Sequence, residues 1–306
     1  MSGVQIAWLG LGNMGRGMVK NLVEKGNLSK PVLIQNRTVA RAEKLAEALG
    51  KDKVTPVTTV EEAVKQSDII FSCLGDDAAI QETIKAATSV ELSGKLFVEC
   101  STVAAETTRA LAEQVQAKGG SFVASPVFGA PPAADAGQLY FVLAGPKAHV
   151  QKVIPYTKGV MGKGYLDFSD QDFGKASIVK VLGNSIIFSA VEGLAEALTV
   201  AEKSGVGVDP VVEFIENMFP GPLSAYANRM KSGDYHKREE PLFQVDLARK
   251  DARHMLALGK EAGVDMAPVK IIDKHFESVK AHMGQRGDIA GIYGAIRSGA
   301  GLPFEN

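Results

Sequence analysis

Lys180 and Asn184 stand one helical turn apart in the stretch ASIVKVLGNSIIFSAVEGLAEALTVAEKSG, residues 176–205, and therefore on one face of the helix it spells. That helix is apolar almost all the way round, which marks it as buried. A lysine in such a place is rare unless its charge is paired or used. Burial disfavours the charged ammonium, and a side chain that takes up and gives a proton near neutral pH suits acid–base chemistry. The plainer alternative is that Lys180 reaches water from the helix edge, with Asn184 bonding locally. From these residues alone both readings stand.

A second group is suited to holding phosphates. WLGLGNMG places Gly10, Gly12 and Gly15 in G-x-G-x-x-G spacing, with Leu11, Asn13 and Met14 between them. Alone, such a match is weak, but here it follows a strand and opens a helix, the context that gives it meaning. Gly10 permits the tight turn, Gly12 lets the backbone approach a pyrophosphate, and Gly15 allows close helix–strand packing. The phosphates then meet the helix N-terminus, which favours anions. Sheets that take NAD carry an acid at the end of the second strand to hold the ribose hydroxyls. This chain has Asn36, Arg37 and Thr38 there instead. Arg37 can pair a 2′-phosphate that an acid would repel, so the expected cofactor is NADP(H).

Other residues offer less. Five scattered histidines lack ligand spacing, so no metal site is expected. Glu192 and Glu196 share a helical face and read as surface or interhelical pairing. Cys73 and Cys100 end apolar runs and read as small structural thiols. At 306 residues, 45% hydrophobic and with a net charge of −1, the chain is a globular, two-domain protein without the basic excess of a nucleic-acid binder. No run reads as long and apolar enough to span a bilayer, so no membrane partner is expected. The start of the chain goes directly into a strand without a targeting signal, giving a cytoplasmic expectation.

The elements that must position these groups alternate at first. Strand-like VQIAWLG, PVLIQN, DIIFSCL, KLFVEC, SFVASPVF and LYFVLAG are separated by helical segments at Val39–Leu49, Asp77–Thr88, Ala104–Ala117 and Pro146–Ile154. This alternation predicts an α/β, Rossmann-type doubly wound, largely parallel sheet over residues 1–170. Strand signals then stop. Residues 171–306 read as an all-α domain, entered through a long helix at about 173–204 and continuing at Pro210–Met218, Leu223–Met230, Phe243–Ala262, Pro268–His282 and Asp288–Arg297. SGDYHKREEPLF reads as a polar surface connection.

Taken in order, GLGNMG, NRT, CLGDD, STV, PVFGA, GKASIVKVLGNS and ARKD resemble the β-hydroxyacid dehydrogenase family nearly end to end. The resemblance implies that Lys180 is the catalytic lysine and that Asn184 helps hold the substrate. Gly174 matches the family pattern around that lysine, while Ala176 and Gly183 depart from it. It also implies that Leu74 and Thr102 touch the cofactor near its nicotinamide half, with Ser101 on the substrate side of that loop. Lys250 matches the lysine of a KD pair near the cofactor, and Phe243 an aromatic lying against the nicotinamide. The family's substrate-binding Ser-Gly-Gly is here Phe128-Gly129-Ala130, which points to a larger or less polar substrate.

The implied activity is an NADPH-dependent reductase acting on a small carbonyl or β-hydroxyacid-type molecule between the two domains, in a chain that pairs as a homodimer. Two rivals remain. An imine reductase would suit Phe128, although such enzymes commonly carry aspartate or tyrosine in place of the lysine. A non-catalytic NADPH-binding scaffold would be expected to lack it. The decarboxylating 6-phosphogluconate dehydrogenases share the N-terminal motifs but are much longer.

Overall fold

The computed structural model describes residues 3–306. The chain forms two compact units, one ending at Lys180 and the other running from Val181 to Asn306. The division thus falls inside a long helix, Gly174–Lys203.

Among the described residues, the first unit is built on nine strands, β1 (Ile6–Leu9), β2 (Val32–Gln35), β3 (Val54–Pro56), β4 (Ile69–Ser72), β5 (Leu96–Glu99), β6 (Ser121–Ala124), β7 (Val127–Phe128), β8 (Leu139–Gly145) and β9 (Gly162–Ser169). Its helices are α1 (Asn13–Lys25), α2 (Val39–Leu49), α3 (Val60–Gln66), α4 (Asp77–Ala87), α5 (Ala105–Gln116), α6 (Pro131–Asp135), α7 (Lys147–Val153) and the start of α8 (Gly174–Lys203). The first six strands pair in parallel in the order 3-2-1-4-5-6, the order of a doubly wound dinucleotide-binding sheet. β8 then runs antiparallel to β6 and β7 and parallel to β9.

Strand composition explains the layers. β1 is apolar at every position because both its faces are covered. Ile6 and Trp8 pack with Met18 and Leu22 of α1, whereas Ala7 and Leu9 pack on the opposite face with Ile80 and Ile84 of α4. In this order the strand sequence reverses between β1 and β4. Ligands of such sheets bind outside the carboxyl ends of the strands at that switch point. The loops following Leu9 and Ser72 occupy that position.

Several elements depart from the sequence expectations. Ser125 and Pro126 split SFVASPVF into β6 and β7. The short β3 and α3 carried too few apolar positions to stand out, and β9 is a largely unburied strand whose alternation is weak. Cys100 is buried, which pushes its thiol pKa well up, while Cys73 is half-buried.

The second unit is helical: most of α8, then α9 (Val208–Met218), α10 (Pro222–Lys231), α11 (Asp234–Lys237), α12 (Val245–Glu261), α13 (Ala267–Met283) and α14 (Ile292–Gly299). Its core gathers Phe188 and Leu198 of α8, Met255 of α12, and Ile272 and Phe276 of α13. Phe188 meets Phe276 edge to face, with ring centroids 5.2 Å apart. The segment expected as a surface connection instead contains α11, whose Tyr235 is buried and donates its hydroxyl to the Phe304 carbonyl. α12 begins after Phe243, and Asp288 caps a single 3-10 turn before α14 instead of opening the helix itself.

The expectation that no segment could span a bilayer needs correcting for α8, which is long and apolar enough by length and composition alone. Half of its most apolar window is buried inside the protein. Its inward positions include Lys180, Asn184 and Glu192, groups that would be costly against lipid.

Candidate active site

The glycine turn between β1 and α1 divides its tasks. Gly10 has φ +97°, and a Cβ there would lie 2.4 Å from the Cys73 carbonyl oxygen. A Cβ on Gly15 would lie 2.2 Å from the Gly10 carbonyl oxygen, so α1 can approach the turn only with glycine there. A Cβ on Gly12 would meet nothing within 4 Å. That open side, together with an α1 start lacking both a side-chain cap and any acid in its first turn, fits an approaching pyrophosphate. Arg16 donates to Asn13 Oδ1 at 2.9 Å across this first turn.

Two side chains shape the turn from behind. Trp8 stacks on Phe71, 5.5 Å between centroids, and donates its indole N–H to the Gly10 carbonyl at 2.9 Å. Asn36, at the end of β2, accepts from Leu11 N at 2.9 Å and donates to the Thr38 carbonyl at 3.0 Å. Its carboxamide therefore ties the glycine turn to the loop carrying Arg37. Arg37 and Thr38 are exposed beside it, and no carboxylate stands at this strand end.

The loops after β4 and β5 are joined by a buried acid that sequence reading passed over. Glu99 accepts from Ser72 Oγ and, at 2.6 Å, from Ser101 N. Ser101 Oγ in turn accepts from Leu74 N at 2.7 Å. Leu74 and Ser101, selected separately in the sequence, thus form one contact, and Thr102 follows half-buried. The available signal was a glutamate closing the otherwise apolar strand LFVE.

Lys180 is fixed through the first turns of α8. Asp172 accepts from Gly174 N at 3.1 Å and pairs with Arg109 at 2.8 Å, holding the helix start. Phe173 meets Phe122 edge to face, Ala176 is fully buried, and Ser177 shares a 2.7 Å hydrogen bond with Thr108 of α5. Two turns of α8 are thereby anchored to the sheet domain. Lys180 emerges only 7% exposed, with Nζ 4.6 Å from the centroid of the Phe128 ring. Phe128 pairs with Tyr140 across β7 and β8, and Gly129 follows at φ +132°, where a Cβ would strike Leu139. Gly129 and Ala130 are exposed, and neither offers a side-chain donor.

Within the helical unit, Asn184 is buried and donates to Asp251 Oδ2 at 2.8 Å. Lys250 Nζ lies 3.2 Å from the other oxygen of that carboxylate. Asp251, read in the sequence only as half of a KD pair, therefore joins the two predicted residues. Phe243 lies just before α12, whose N-cap is Gln244. Asp288 holds its backbone N–H at 3.1 Å, and its ring packs on Phe188, 5.8 Å between centroids.

A glycine turn shaped for a pyrophosphate, opening a helix at the end of the first strand of a doubly wound sheet, defines a dinucleotide-binding protein. Residues 5–164 match the NAD-binding domain of 6-phosphogluconate dehydrogenase, and residues 174–296 match the family described as NAD-binding of NADP-dependent 3-hydroxyisobutyrate dehydrogenase. The chain belongs to the 3-hydroxyisobutyrate dehydrogenase family. It is 35% identical to the NADH-dependent oxidoreductase ucdB of Aspergillus ustus over 95% of this chain and 98% of that protein. It is 30% identical to glyoxylate/succinic semialdehyde reductase 1 of Arabidopsis thaliana, over 91% and 93% of the respective chains. Among solved structures, Mycobacterium tuberculosis 3-hydroxyisobutyrate dehydrogenase shares the fold at a TM-score of 0.79 and 21% identity, covering 96% of this chain and 99% of that one. A reductive aminase of Aspergillus terreus, solved with NADPH4, cyclohexanone and allyl amine, does so at 0.60 and 21% over 96% and 99%.

Proposed function

We propose that this protein is an NADPH-dependent reductase of small carbonyl compounds or the matching β-hydroxyacids, with Lys180 as the proton donor and acceptor. The observation that carries this reading is a buried lysine one turn before a buried asparagine, on a helix that opens the second segment matched by the family models. When bound, the nicotinamide supplies or takes up the hydride. Lys180 Nζ gives a proton to the substrate oxygen as negative charge develops there during reduction, and recovers one during oxidation. Asn184, held by Asp251, orients that oxygen through its carboxamide. In the sheet unit Ser101 and Phe128–Ala130 are the residues offered to the substrate, and Leu74 and Thr102 to the cofactor; in the helical unit Phe243 and Lys250 are the cofactor candidates.

The preference for NADPH is supported by Arg37 and by the missing carboxylate after β2. The name of the Aspergillus ustus relative points to NADH, so both cofactors belong in the test. Purified protein is assayed for loss of NADPH and NADH absorbance with glyoxylate, succinic semialdehyde and a cyclic imine. Reduction of an oxo-acid, abolished by Lys180→Ala, is the expected result. Turnover of the imine alone would transfer the reading to imine reduction, the alternative that the apolar Phe128 ring favours. A protein that binds NADPH and reduces none of these would favour the scaffold reading.

Pairing as a homodimer belongs to the same proposal. Leu182, Ile186 and Val200 are exposed on one face of α8, with the small exposed Ser189, Gly193 and Ala197 between them. A contiguous apolar stripe of this kind marks an interaction surface. A cytoplasmic location, in keeping with two unlinked thiols, completes the proposal.

A further inference from the structure

We propose that Phe128 is a positioning residue for Lys180, its ring face seating the ammonium that delivers the proton. The inference rests on the reading of Lys180 as that proton donor, and it assigns Phe128 a task besides bordering the substrate.

The geometry is specific. Lys180 Nζ stands 4.6 Å from the centre of the ring, inside the range at which a cation is drawn to the negative face of an aromatic. The lysine is 7% exposed, so little water competes for the ammonium, and cation–π attraction strengthens as its partners are desolvated. Both partners are held independently. Phe128 is fixed by its register with Tyr140 in β7–β8 and by the turn at Gly129. The backbone that carries Lys180 is placed by the Asp172, Ser177 and Phe173 contacts at the start of α8. A lysine stem has four rotatable bonds, and the freedom it keeps in the free enzyme must be given up in the reacting one. A preformed seat removes part of that cost, which is how positioning raises a rate. A serine in place of Phe128 would offer a hydroxyl but no such face.

The test separates seating from chemistry. Protein with ¹³C-labelled lysine ε-carbons is examined by ¹³C–¹H NMR, the Lys180 resonance being assigned by its loss in Lys180→Ala. Ring-current shielding should displace the Lys180 ε-protons upfield in the wild type and in Phe128→Tyr, and the displacement should vanish in Phe128→Leu, which keeps apolar bulk without a π face. With succinic semialdehyde and saturating NADPH, Phe128→Leu should lower kcat by about 5–30-fold more than Phe128→Tyr, the span expected for a desolvated cation–π contact. On a Lys180→Ala background that difference should disappear, because both changes act on one interaction. A wild-type Lys180 resonance inside the ordinary lysine envelope would overturn the seating. So would equal kcat losses in the leucine and tyrosine variants while Lys180→Ala is slow. If Lys180→Ala reduces the aldehyde as fast as wild type, the proton-donor reading fails by itself, and the NMR result still decides where the ammonium sits.

Discussion

At the scale of single residues, Lys180 combines burial with a contact to an aromatic face. Its neighbours on the helix are Val179 and Val181, and the sheet domain presents it with an aromatic face. A general acid is typically worth about 10²–10⁴ in rate. Lys180→Ala should therefore lower kcat by that order while cofactor binding, measured by calorimetry, is retained, because the phosphate-binding turn lies on β1 and α1. Lys180→Arg should rescue poorly, since arginine holds its proton near neutral pH. A folded Lys180→Ala protein with wild-type kcat would sink the assignment. Phe128→Ser introduces the hydroxyl that the family resemblance implies at this position and should shift the substrate ranking toward glyoxylate. An unchanged ranking would leave Phe128 without a role in specificity.

At the scale of elements, the β1–α1 turn has three glycines that should respond differently to the same substitution. Gly12→Ala adds a methyl in open space, so melting temperature should hold while dinucleotide affinity falls. Gly15→Ala drives a methyl into the Gly10 carbonyl, so the fold itself should lose stability, by about 1–3 kcal/mol as overpacking typically costs. Equal losses of stability in both variants would refute this division of tasks. Trp8→Phe keeps a ring against Phe71 but leaves the Gly10 carbonyl without its indole donor. One neutral hydrogen bond is worth about 1 kcal/mol, so a loss of about that much folding stability is expected, read from chemical denaturation. On the neighbouring strand end, Arg37→Ala should weaken NADPH and spare NADH. Equal wild-type affinities for the two cofactors would remove the basis for the NADPH preference.

For the whole molecule, the exposed stripe on α8 concerns assembly. Ile186 is 72% exposed, an unusual position for isoleucine on a face that also carries Leu182 and Val200. Light scattering should give twice the chain mass for the wild type and the single-chain mass for Ile186→Glu, which places a charge in the middle of the stripe. A wild-type protein that stays a monomer at micromolar concentration would remove the dimer from the proposal.

The sequence alone was enough for the α/β class, the strand-by-strand alternation, the glycine turn and the helical second half. Those features are written in local periodicity and in the conformational demands of glycine, which need no distant partner to be read. It also singled out Lys180, because a charge in an apolar helix is conspicuous without any structure. β9 and α11 escaped, since neither has a strong period of its own and both are held by what they pair with or pack on. Glu99 and Asp251 escaped as site-builders for a related reason. A carboxylate acquires its meaning from the donors around it, and here those lie 27 residues away at Ser72 and 67 residues away at Asn184. The seat of Lys180 is the clearest case. Residue 128 could be seen to be phenylalanine, but only the register of β7 on β8 and the anchoring of α8 bring that ring under the ammonium, because a cation–π contact depends on distance and facing, which chain order does not carry.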